Sequence, residues 1–345
     1  MSVKTVKLGG TASGITVGKV AHGLMTLTSQ DPNVPTDEEA AFAAIKAGID
    51  VLPPGVKMFL NSAEFYAAGF TTENLELLSR FYEKYPEYVE KTFLSVKGGM
   101  KANTLTPDSS AENLRRSVDA CVAALRGTKK IDLFETARVD PNVPLEQALK
   151  TLVQLKEEGK FDHLGMSECR AETLRKANSI HPITAVEIEI SLWSYEEETR
   201  KVIATAEELG ISVIAYSPLG RGLLTGTITS STDLPEHDMR RRFDRFQEEN
   251  LKHNLGILEE IKPIAAKKQI ALPQLALAWV ASLGPHVIPL PGSGKPKRVV
   301  ENILSGDIEL TQEEQDQIAD ILSKHEVKGD RYIGGPAGHF LHLWG

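Results

Sequence analysis

Two side chains suited to proton transfer stand at the ends of neighbouring strand-like runs. Tyr66 follows the run in NSAEFYAAG, and Lys97 closes the run in FLSVKGG. An ammonium group close to a phenol favours the ionised phenol and makes the hydroxyl a better proton donor to a substrate oxygen. The same spacing also fits an aromatic residue at a rim beside a solvated lysine. The pair is therefore a candidate for acid catalysis, with a purely structural role as the alternative.

A basic turn late in the chain has the character of an anion site. The sequence PGSGKPKRVVEN opens a helical pattern and carries Ser293, Lys295, Lys297 and Arg298 near its start. Basic residues are unfavourable for the dipole in a first helical turn, whereas the free N–H groups there attract anions. A bound phosphate would account for the cluster, and a solvated run of charge is the alternative.

These candidates need a scaffold that brings strand ends together. Short β-branched or apolar runs alternate with longer stretches of helical period, as in parallel strands joined by crossover helices. Eight strand-like runs follow a predicted N-terminal hairpin (TVKLGG and GITVGK): KVAHGLM, MFLNSAEF, TFLSVKG, IDLFETA, HLGMSE, AVEIEIS, SVIAYSP and HVIPLPG. Eight strands close a barrel, so we predict one α/β domain over residues 1–345, a (β/α)8 TIM barrel, rather than two doubly wound domains. Functional residues then belong at the C-terminal ends of the strands.

The connecting segments carry helix signals and two insertions. Thr36 and Ser110 are predicted N-caps, and Gly48 and Gly210 are predicted left-handed helix ends. No helical pattern is assigned between residue 250 and the eighth strand. The insertion at 220–250 contains MRRRFDRFQEEN, a solvated helix face by its own pattern and a lid segment by the family resemblance given below. The C-terminal extension, 311–345, ends in FLHLWG, which covers either the barrel mouth or a subunit interface.

Composition excludes several classes of protein. The 345 residues include 47 acidic and 39 basic side chains, a net charge of −8, which argues against a nucleic-acid or anionic-membrane binder because both need a broad positive field. Cys121 and Cys169 match neither a disulfide framework nor a zinc site, so we expect reduced thiols. No segment has about 18 uninterrupted apolar residues or the pattern of a signal peptide. We expect a cytoplasmic protein, a monomer or weak homo-oligomer.

The whole chain resembles the aldo-keto reductase family. The family's order and spacing are followed by GKVAHGLMT, LNSAEFY, FLSVKGG, KIDLFETARVDP, LKEEGKFDHLGMSE, ISVIAYSPLGRGLLTG and VIPLPGSGKPKRVVEN. More narrowly, the sequence is similar to the fungal pyridoxal reductase branch. The resemblance implies a (β/α)8 barrel, hydride transfer from NADPH to a small-molecule aldehyde, and no metal.

The resemblance also exposes two departures at the catalytic positions. The family uses Asp, Tyr, Lys and His, and motif matching makes Tyr66 the general acid and Lys97 its partner. Asn61 stands in the place of the aspartate and Ala137 in the place of the histidine. We therefore expect Lys97 to lack a compensating carboxylate, with a lower pKa of its own and a stronger field on Tyr66. Loss of the imidazole removes a donor to the carbonyl oxygen, so the Asn61 amide and an activated aldehyde such as pyridoxal are expected to compensate.

The resemblance assigns further residues to NADPH and to the substrate. Tyr216 is expected to stack on the nicotinamide, while Ser167 and Glu187 face its carboxamide. Glu168 and Glu187 replace the usual Asn and Gln, and a carboxylate cannot donate to the carboxamide oxygen. The remaining cofactor residues are Gly23, Met25, Ser217, Leu219, Gly220, Gly222, Ser293, Lys295 and Arg298, with Glu301 and Asn302 at the adenine. Trp193 and Ala137 are predicted to line the substrate pocket. His22 could replace the missing imidazole, although a single buried histidine is more often structural.

A different class of function stays open because two of four catalytic positions are altered. The chain could be a cofactor-binding barrel with little turnover, acting as a regulatory or redox-sensing interaction subunit. Retention of Tyr66 and Lys97 argues against this reading. A phosphate-binding isomerase or aldolase lacks a paired base and a Schiff-base lysine in a suitable motif.

Overall fold

The strands form where β-branched and aromatic runs can be buried on both faces. The computed structural model describes residues 3–236, 238–333 and 343–344. In it, β1 and β2 form an antiparallel hairpin and eight further strands form one parallel sheet in sequential order. The strands are β1 Thr5–Lys7, β2 Thr16–Gly18, β3 His22–Gly23, β4 Met58–Ala63, β5 Thr92–Gly98, β6 Ile131–Thr136, β7 Phe161–Ser167, β8 Ala185–Glu189, β9 Ser212–Tyr216 and β10 Val287–Leu290.

The first and last strands of the sheet meet, which gives a nearly closed barrel and confirms the predicted fold. The amide of Ala21 donates to the Pro289 carbonyl at 2.8 Å, and that of Gly23 donates to the Pro291 carbonyl at 3.0 Å. Inside the barrel, the period of two along each strand stacks the inward-facing Phe59, Phe93 and Ile214 into an apolar layer. The hairpin closes the N-terminal end over this layer, and polar inward-facing residues occupy the C-terminal end.

Helices surround the barrel and bury their apolar faces against it. They are α1 Glu38–Asp50, α2 Glu73–Lys84, α3 Ala111–Ala124, α4 Leu145–Glu157, α5 Ala171–Ile180, α6 Glu197–Leu209, α7 Glu248–Asn254, α8 Gly256–Lys268, α9 Leu272–Ser282, α10 Pro296–Leu304 and α11 Gln312–Lys324. Among the residues described, no helix is both long and apolar enough to cross a membrane.

Local predictions for the helices succeed in part. Ser110 caps α3 by accepting from the Asn113 amide, and Gly210 ends α6 with a φ of 66°. The prediction for Thr36 is wrong, because Asp37 caps α1 and the Thr36 hydroxyl donates to Glu73 instead. Gly48 lies inside α1, where a Cβ atom would approach Val299 to 3.0 Å.

Helices α8 and α9 complete the seventh crossover, where the sequence had suggested no helix. The sequence of α9, LPQLALAWVAS, is apolar on nearly every face, and seven of its residues are buried. Helix α8 contains Pro263 in its interior. Neither shows the polar and apolar stripes on which a pattern-based assignment depends, since one is buried all round and the other is interrupted by a helix breaker.

Candidate active site

The C-terminal ends of β4 and β5 bring Tyr66 and Lys97 together. The two strands pair with Ala63 opposite Lys97, and Tyr66 follows three residues after β4 ends. The ammonium nitrogen of Lys97 lies 5.3 Å from the centroid of the Tyr66 ring. The Tyr66 hydroxyl donates to Asn61 Oδ1 at 3.5 Å, and Lys97 Nζ donates to the same oxygen at 2.8 Å. One amide oxygen therefore joins the phenol to the ammonium group.

Lys97 also contacts a carboxylate, contrary to the expectation from sequence. Its Nζ donates to Glu187 Oε1, and the amide nitrogen of Asn61 donates to Glu187 Oε2 at 2.7 Å. All three side chains are buried. Burial by itself would lower the pKa of Lys97, but Glu187 and other neighbours raise it above its ordinary value. The expected fall in the Lys97 pKa is thus wrong, because a carboxylate on β8 takes the place of the missing one on β4.

The pKa of Tyr66 also moves in the opposite direction to the one expected. Burial raises it to about 12, while the charge of Lys97 acts to lower it and that of Glu187 acts to raise it. The loss of hydration at the phenol outweighs the field of the ammonium group, which Glu187 partly cancels. Tyr66 consequently holds its proton at neutral pH, as a proton donor must.

Two more polar side chains complete an inner cluster, defined here as Asn61, Ser95, Lys97, Glu135 and Glu187. The Ser95 hydroxyl donates to Glu135 Oε1 at 3.1 Å, and the Asn61 amide nitrogen lies 3.3 Å from the same oxygen. Burial and the adjacent Glu187 raise the pKa of Glu135 well above its ordinary range, which favours the protonated acid. Ser95 and Glu135 were not among the predicted site residues, although their inward-facing positions on predicted strands were a usable signal.

A second group of charges, the mouth cluster, lies at the ends of β7, β8 and β9 and comprises Glu168, Glu189, Tyr216, Arg221 and Arg331. Arg331 binds Glu168 through two bonds of 3.0 and 2.8 Å, and the Tyr216 hydroxyl donates to Glu168 at 2.7 Å. Arg221 donates to Glu189 at 2.8 Å. Burial would raise the pKa of Glu168, but Arg331 and the other donors lower it to about 2. Glu168 is therefore ionised and fully engaged.

The C-terminal extension supplies the parts of the mouth that sequence reasoning missed. Arg331 follows α11, and its neighbour Tyr332 places its hydroxyl 3.1 Å from that of Tyr216. Arg221 lies 3.9 Å from the centroid of the Tyr332 ring. Trp344 also belongs to this region, since Arg331 lies 5.0 Å from the centroid of its ring. The extension has no helical or strand period after residue 324, so no pattern indicated which of its residues reach the mouth.

The predicted substrate residues Ala137 and Trp193 are both buried. Ala137 follows β6, and the next residue, Arg138, reaches within 3.4 Å of the Ser167 hydroxyl. Trp193 borders a small cavity that Arg245 and Arg331 also line, and its indole N–H has no hydrogen-bond partner among the residues described.

The segment interpreted as a lid is tied into the molecule at one arginine. Arg245 is buried and donates to the Trp193 carbonyl at 2.6 Å, to the Ser194 hydroxyl at 2.7 Å and to the Gly329 carbonyl at 3.1 Å. Arg240 is held by Asp238 and by the Arg221 carbonyl. These contacts show why an arginine-rich run here need not indicate a nucleic-acid site.

The basic turn lies at the other side of the mouth, after β10. Lys295, Lys297 and Arg298 are exposed, and no acidic residue occurs in the first turn of α10, all of which is described. The Nε2 atom of His22 lies 2.9 Å from the Ser293 carbonyl oxygen, and this contact holds the turn. Burial lowers the pKa of His22 to about 4, so the ring is neutral and the structural reading of His22 is favoured.

The remaining predicted cofactor residues line the same end of the barrel. Gly23 bridges to Gly292, and Ser217 and Gly222 have left-handed φ values of 51° and 98°. Ser167 is buried; Tyr216, Leu219 and Asn302 are half-buried; Met25 and Glu301 are exposed. Exposed cations, free helix N–H groups and a turn with unusual backbone fit a phosphorylated dinucleotide. No group of three or more potential metal ligands occurs among the described residues.

Comparisons with known proteins agree with this architecture. The model of the aldo/keto reductase family matches residues 19–323. A protein described as probable pyridoxal reductase 2, from Schizosaccharomyces pombe, is 35% identical over 327 residues, which cover 93% of this chain and 96% of that protein. The putative pyridoxal reductase of Saccharomyces cerevisiae is 34% identical over 335 residues, covering 90% and 94% of the two chains. The structure of a glycerol dehydrogenase from Gluconobacter oxydans superposes with a TM-score of 0.80 at 25% identity and covers 96% and 98%.

Proposed function

We propose a function from the premise that this chain belongs to the aldo/keto reductase family. The proposed reaction is the NADPH-dependent reduction of an aldehyde to an alcohol, with pyridoxal as the substrate and pyridoxine as the product. The observation that carries it is the Tyr66 hydroxyl, protonated and joined to Lys97 through Asn61 at the end of the barrel where active sites of this fold lie.

Tyr66 is the proposed proton donor. A bound nicotinamide in its reduced form supplies the hydride to the carbonyl carbon. The Tyr66 hydroxyl gives its proton to the carbonyl oxygen, so the aldehyde gains one hydride and one proton and the phenol becomes a phenolate. Lys97, 5.3 Å from the ring centroid, stabilises the negative charge that develops on the phenol. The pKa of the Tyr66 phenol is about 12, so the phenol is neutral before the proton leaves. The ammonium group of Lys97 therefore acts mainly in the transition state, when negative charge develops on the phenol oxygen.

The missing imidazole at Ala137 restricts the substrate. Loss of one preorganised donor to a carbonyl oxygen costs about 10²–10³ in rate. An aldehyde on an electron-poor pyridine ring has a more reactive carbonyl and so depends less on the missing donor. The names of the two yeast relatives support the same substrate.

NADPH is the proposed cofactor because the basic turn offers three exposed cations, Lys295, Lys297 and Arg298, beside a helix N-terminus. Lys295 and Arg298 would hold the 2′-phosphate, Ser217 to Gly222 the pyrophosphate, and Tyr216 with Ser167 the nicotinamide. Glu301 and Asn302 would face the adenine. We further propose that the protein acts in the cytoplasm as a monomer or weak homo-oligomer, with Cys121 and Cys169 as buried thiols.

Steady-state oxidation of NADPH in the presence of pyridoxal tests the proposal. We expect turnover with pyridoxal and slower turnover with an aromatic aldehyde that lacks the ring nitrogen. Tyr66→Phe should lower kcat by about 10²–10⁴ while the protein still binds NADPH. Absence of turnover with pyridoxal and other reactive aldehydes would contradict the proposal.

One observation favours a second function, a cofactor-binding barrel with little turnover. Glu187, one of the two predicted carboxamide contacts, is occupied by Lys97 and Asn61, and Glu168 beside the other, Ser167, is occupied by Arg331. NADPH binding measured by nucleotide fluorescence, without oxidation by any aldehyde, would establish this second function over the first.

A further inference from the structure

We propose that Glu187 is a positioning residue that supplies Lys97 with the negative charge absent from position 61, and that Asn61 and Glu187 work as a matched pair. The inference rests on the proposed function for its catalytic consequence only. It replaces the expectation that Glu187 contacts the nicotinamide carboxamide.

The contacts of Glu187 define its role. Its two carboxylate oxygens accept from different donors, Oε1 from Lys97 and Oε2 from Asn61 at 2.7 Å. The ion pair is buried, with side-chain exposures of 6% for Lys97 and 3% for Glu187. Taking either charge away would leave the other buried without a partner, which is strongly unfavourable. Glu187 is therefore committed to Lys97.

The neutral amide at position 61 follows from this arrangement. Its Nδ2 faces the carboxylate oxygens of Glu187 and Glu135, and its Oδ1 faces Lys97 and Tyr66. An amide can donate on one side and accept on the other, whereas an aspartate could only accept. An aspartate at 61 would place a second carboxylate 2.7 Å from Glu187. Asn61 and Glu187 thus keep one negative charge beside Lys97 with every polar atom of the amide engaged.

The titratable groups that face Lys97 come from three elements. They are Glu187 on β8, Glu135 on β6 and Tyr66 after β4. Glu135 favours its protonated form, so Glu187 is the carboxylate that balances the ammonium charge. Glu187 keeps Lys97 charged, and the charged Lys97 lies beside the Tyr66 ring. Glu187 therefore affects proton transfer through Lys97.

The experiment removes the carboxylate at position 187 and then introduces one at position 61. The protein is prepared with ¹³C at the lysine ε-carbon, the Lys97 resonance is identified by its loss in Lys97→Met, and its titration is followed to pH 10.5. We expect no titration in the unmodified protein. Glu187→Gln should bring the midpoint below pH 10.5, into the titrated range, and Asn61→Asp combined with Glu187→Gln should restore the original behaviour. Glu189→Gln, which removes an inward-facing carboxylate of the same strand that binds Arg221, should leave the Lys97 resonance unaltered.

Activity and cofactor binding are measured on the same variants. Glu187→Gln should lower kcat at least about tenfold and change its pH profile, with the affinity for NADPH unchanged, and the double variant should recover kcat. An unaltered Lys97 titration in Glu187→Gln, or a double variant no closer to the original than Glu187→Gln, would overturn the inference. Weaker NADPH binding by Glu187→Gln with unaltered Lys97 would do the same and support the carboxamide contact.

The titration separates this inference from the proposed function. If no aldehyde is reduced, the proposed function fails while the Lys97 titration still decides the inference. If Glu187→Gln does not fold, the double variant carries the test, because it keeps one carboxylate beside Lys97. A folded double variant with an unshifted Lys97 supports the inference, and one in which Lys97 titrates below pH 10.5 overturns it.

Discussion

Glu135 and Glu187 are neighbouring carboxyl groups of the inner cluster that the barrel holds in different states. Glu187 contacts Lys97, while Glu135 contacts Ser95 and Asn61 and has a strongly raised pKa. A single ammonium group can balance one carboxylate in a buried site, so the second carboxyl group retains its proton. In this buried cluster, the single charge of Lys97 thus determines that one carboxyl group is ionised and the other is protonated.

Glu135→Gln should make the protein less sensitive to rising pH. A raised folded-state pKa means that the native protein keeps a proton that the unfolded chain releases, so the free energy of unfolding falls as pH rises above the ordinary glutamate pKa. The difference between variant and original should grow by about 1.4 kcal/mol per pH unit until the folded-state pKa is reached. Urea unfolding at pH 5, 6, 7 and 8 measures this. Parallel stability curves would show that Glu135 is ionised in the native state.

At the scale of elements, the C-terminal extension after α11 closes one side of the barrel mouth through Arg331. The guanidinium binds Glu168 at the end of β7 with two bonds and lies 3.7 Å from Glu189 at the end of β8. Arg331 is 7% exposed, so a buried ion pair is among the contacts that attach the extension. Tyr332 and Trp344 add ring contacts around the same guanidinium and around Arg221.

Removing one partner of this ion pair should destabilise the protein by far more than the intact pair contributes to its stability. Arg331→Met or Glu168→Gln alone should each lower the free energy of unfolding by about 3–5 kcal/mol, because each deprives a buried charge of its two-bond partner. The double variant should lose less than the sum of the two. Urea unfolding of the four proteins measures the coupling. Arg115→Gln is the control, since Arg115 and Glu158 form a similar two-bond pair that is exposed, and its effect should be much smaller. Additive losses would show that the pair is uncoupled.

The same pair should make the extension sensitive to acid. Because the folded-state pKa of Glu168 is lowered to about 2, the stabilisation is present at neutral pH and is lost as pH falls from the ordinary glutamate value of 4.5 to 2. The loss amounts to roughly 3 kcal/mol by linkage. Unfolding measured from pH 6 down to pH 2 should therefore show a steeper decline in the original protein than in the Arg331→Met and Glu168→Gln double variant. Identical declines would argue against an ionised Glu168.

At the scale of the whole molecule, barrel closure brings the basic turn to the same end as the inner cluster. The turn follows β10, and β10 meets β3 through backbone bonds from Ala21 and Gly23. The inner cluster stands on β4, β5, β6 and β8. In a parallel barrel all strands end at one face, so an extended ligand held at the turn can reach across the mouth to Tyr66.

NADPH should therefore stabilise the protein against heat more than NADH does. A ligand that binds only the native state raises the melting temperature by an amount that grows with the logarithm of the ratio of its concentration to its Kd. Replacing Lys295 and Arg298 by alanine should weaken NADPH binding about tenfold or more and leave NADH nearly unaffected, since only NADPH carries the 2′-phosphate. Melting curves with each nucleotide measure this, with Lys267→Ala on α8 as a control for loss of an exposed cation. Equal losses for both nucleotides would contradict the phosphate assignment.

Much of the fold was accessible from sequence because local patterns coincide with the tertiary arrangement. The run TFLSVKG is β5 from its first residue to its last, and AETLRKANSI is α5. Helix α9 was not predicted because a helix that is buried all round has no polar stripe. Of the site, Tyr66 and Lys97 could be found because one follows β4 and the other lies near the end of β5, and the ends of these two strands must be neighbours. Arg331 could not, because it lies in an extension without periodicity.

The sequence by itself determined the order of strands and helices, the inward-facing positions along each strand, and the basic turn before α10. These depend on side-chain period and on charges close together in the chain, so local physical chemistry decides them. Only the tertiary structure decided which carboxylate balances Lys97 and which arginine neutralises Glu168. Lys97 and Glu187 are 90 positions apart, and Glu168 and Arg331 are 163 apart. Contacts at such separations depend on strand register and barrel closure, because several inward-facing carboxylates satisfy the same sequence pattern and, among the described residues, Glu187 is the one that forms an ion pair with the lysine.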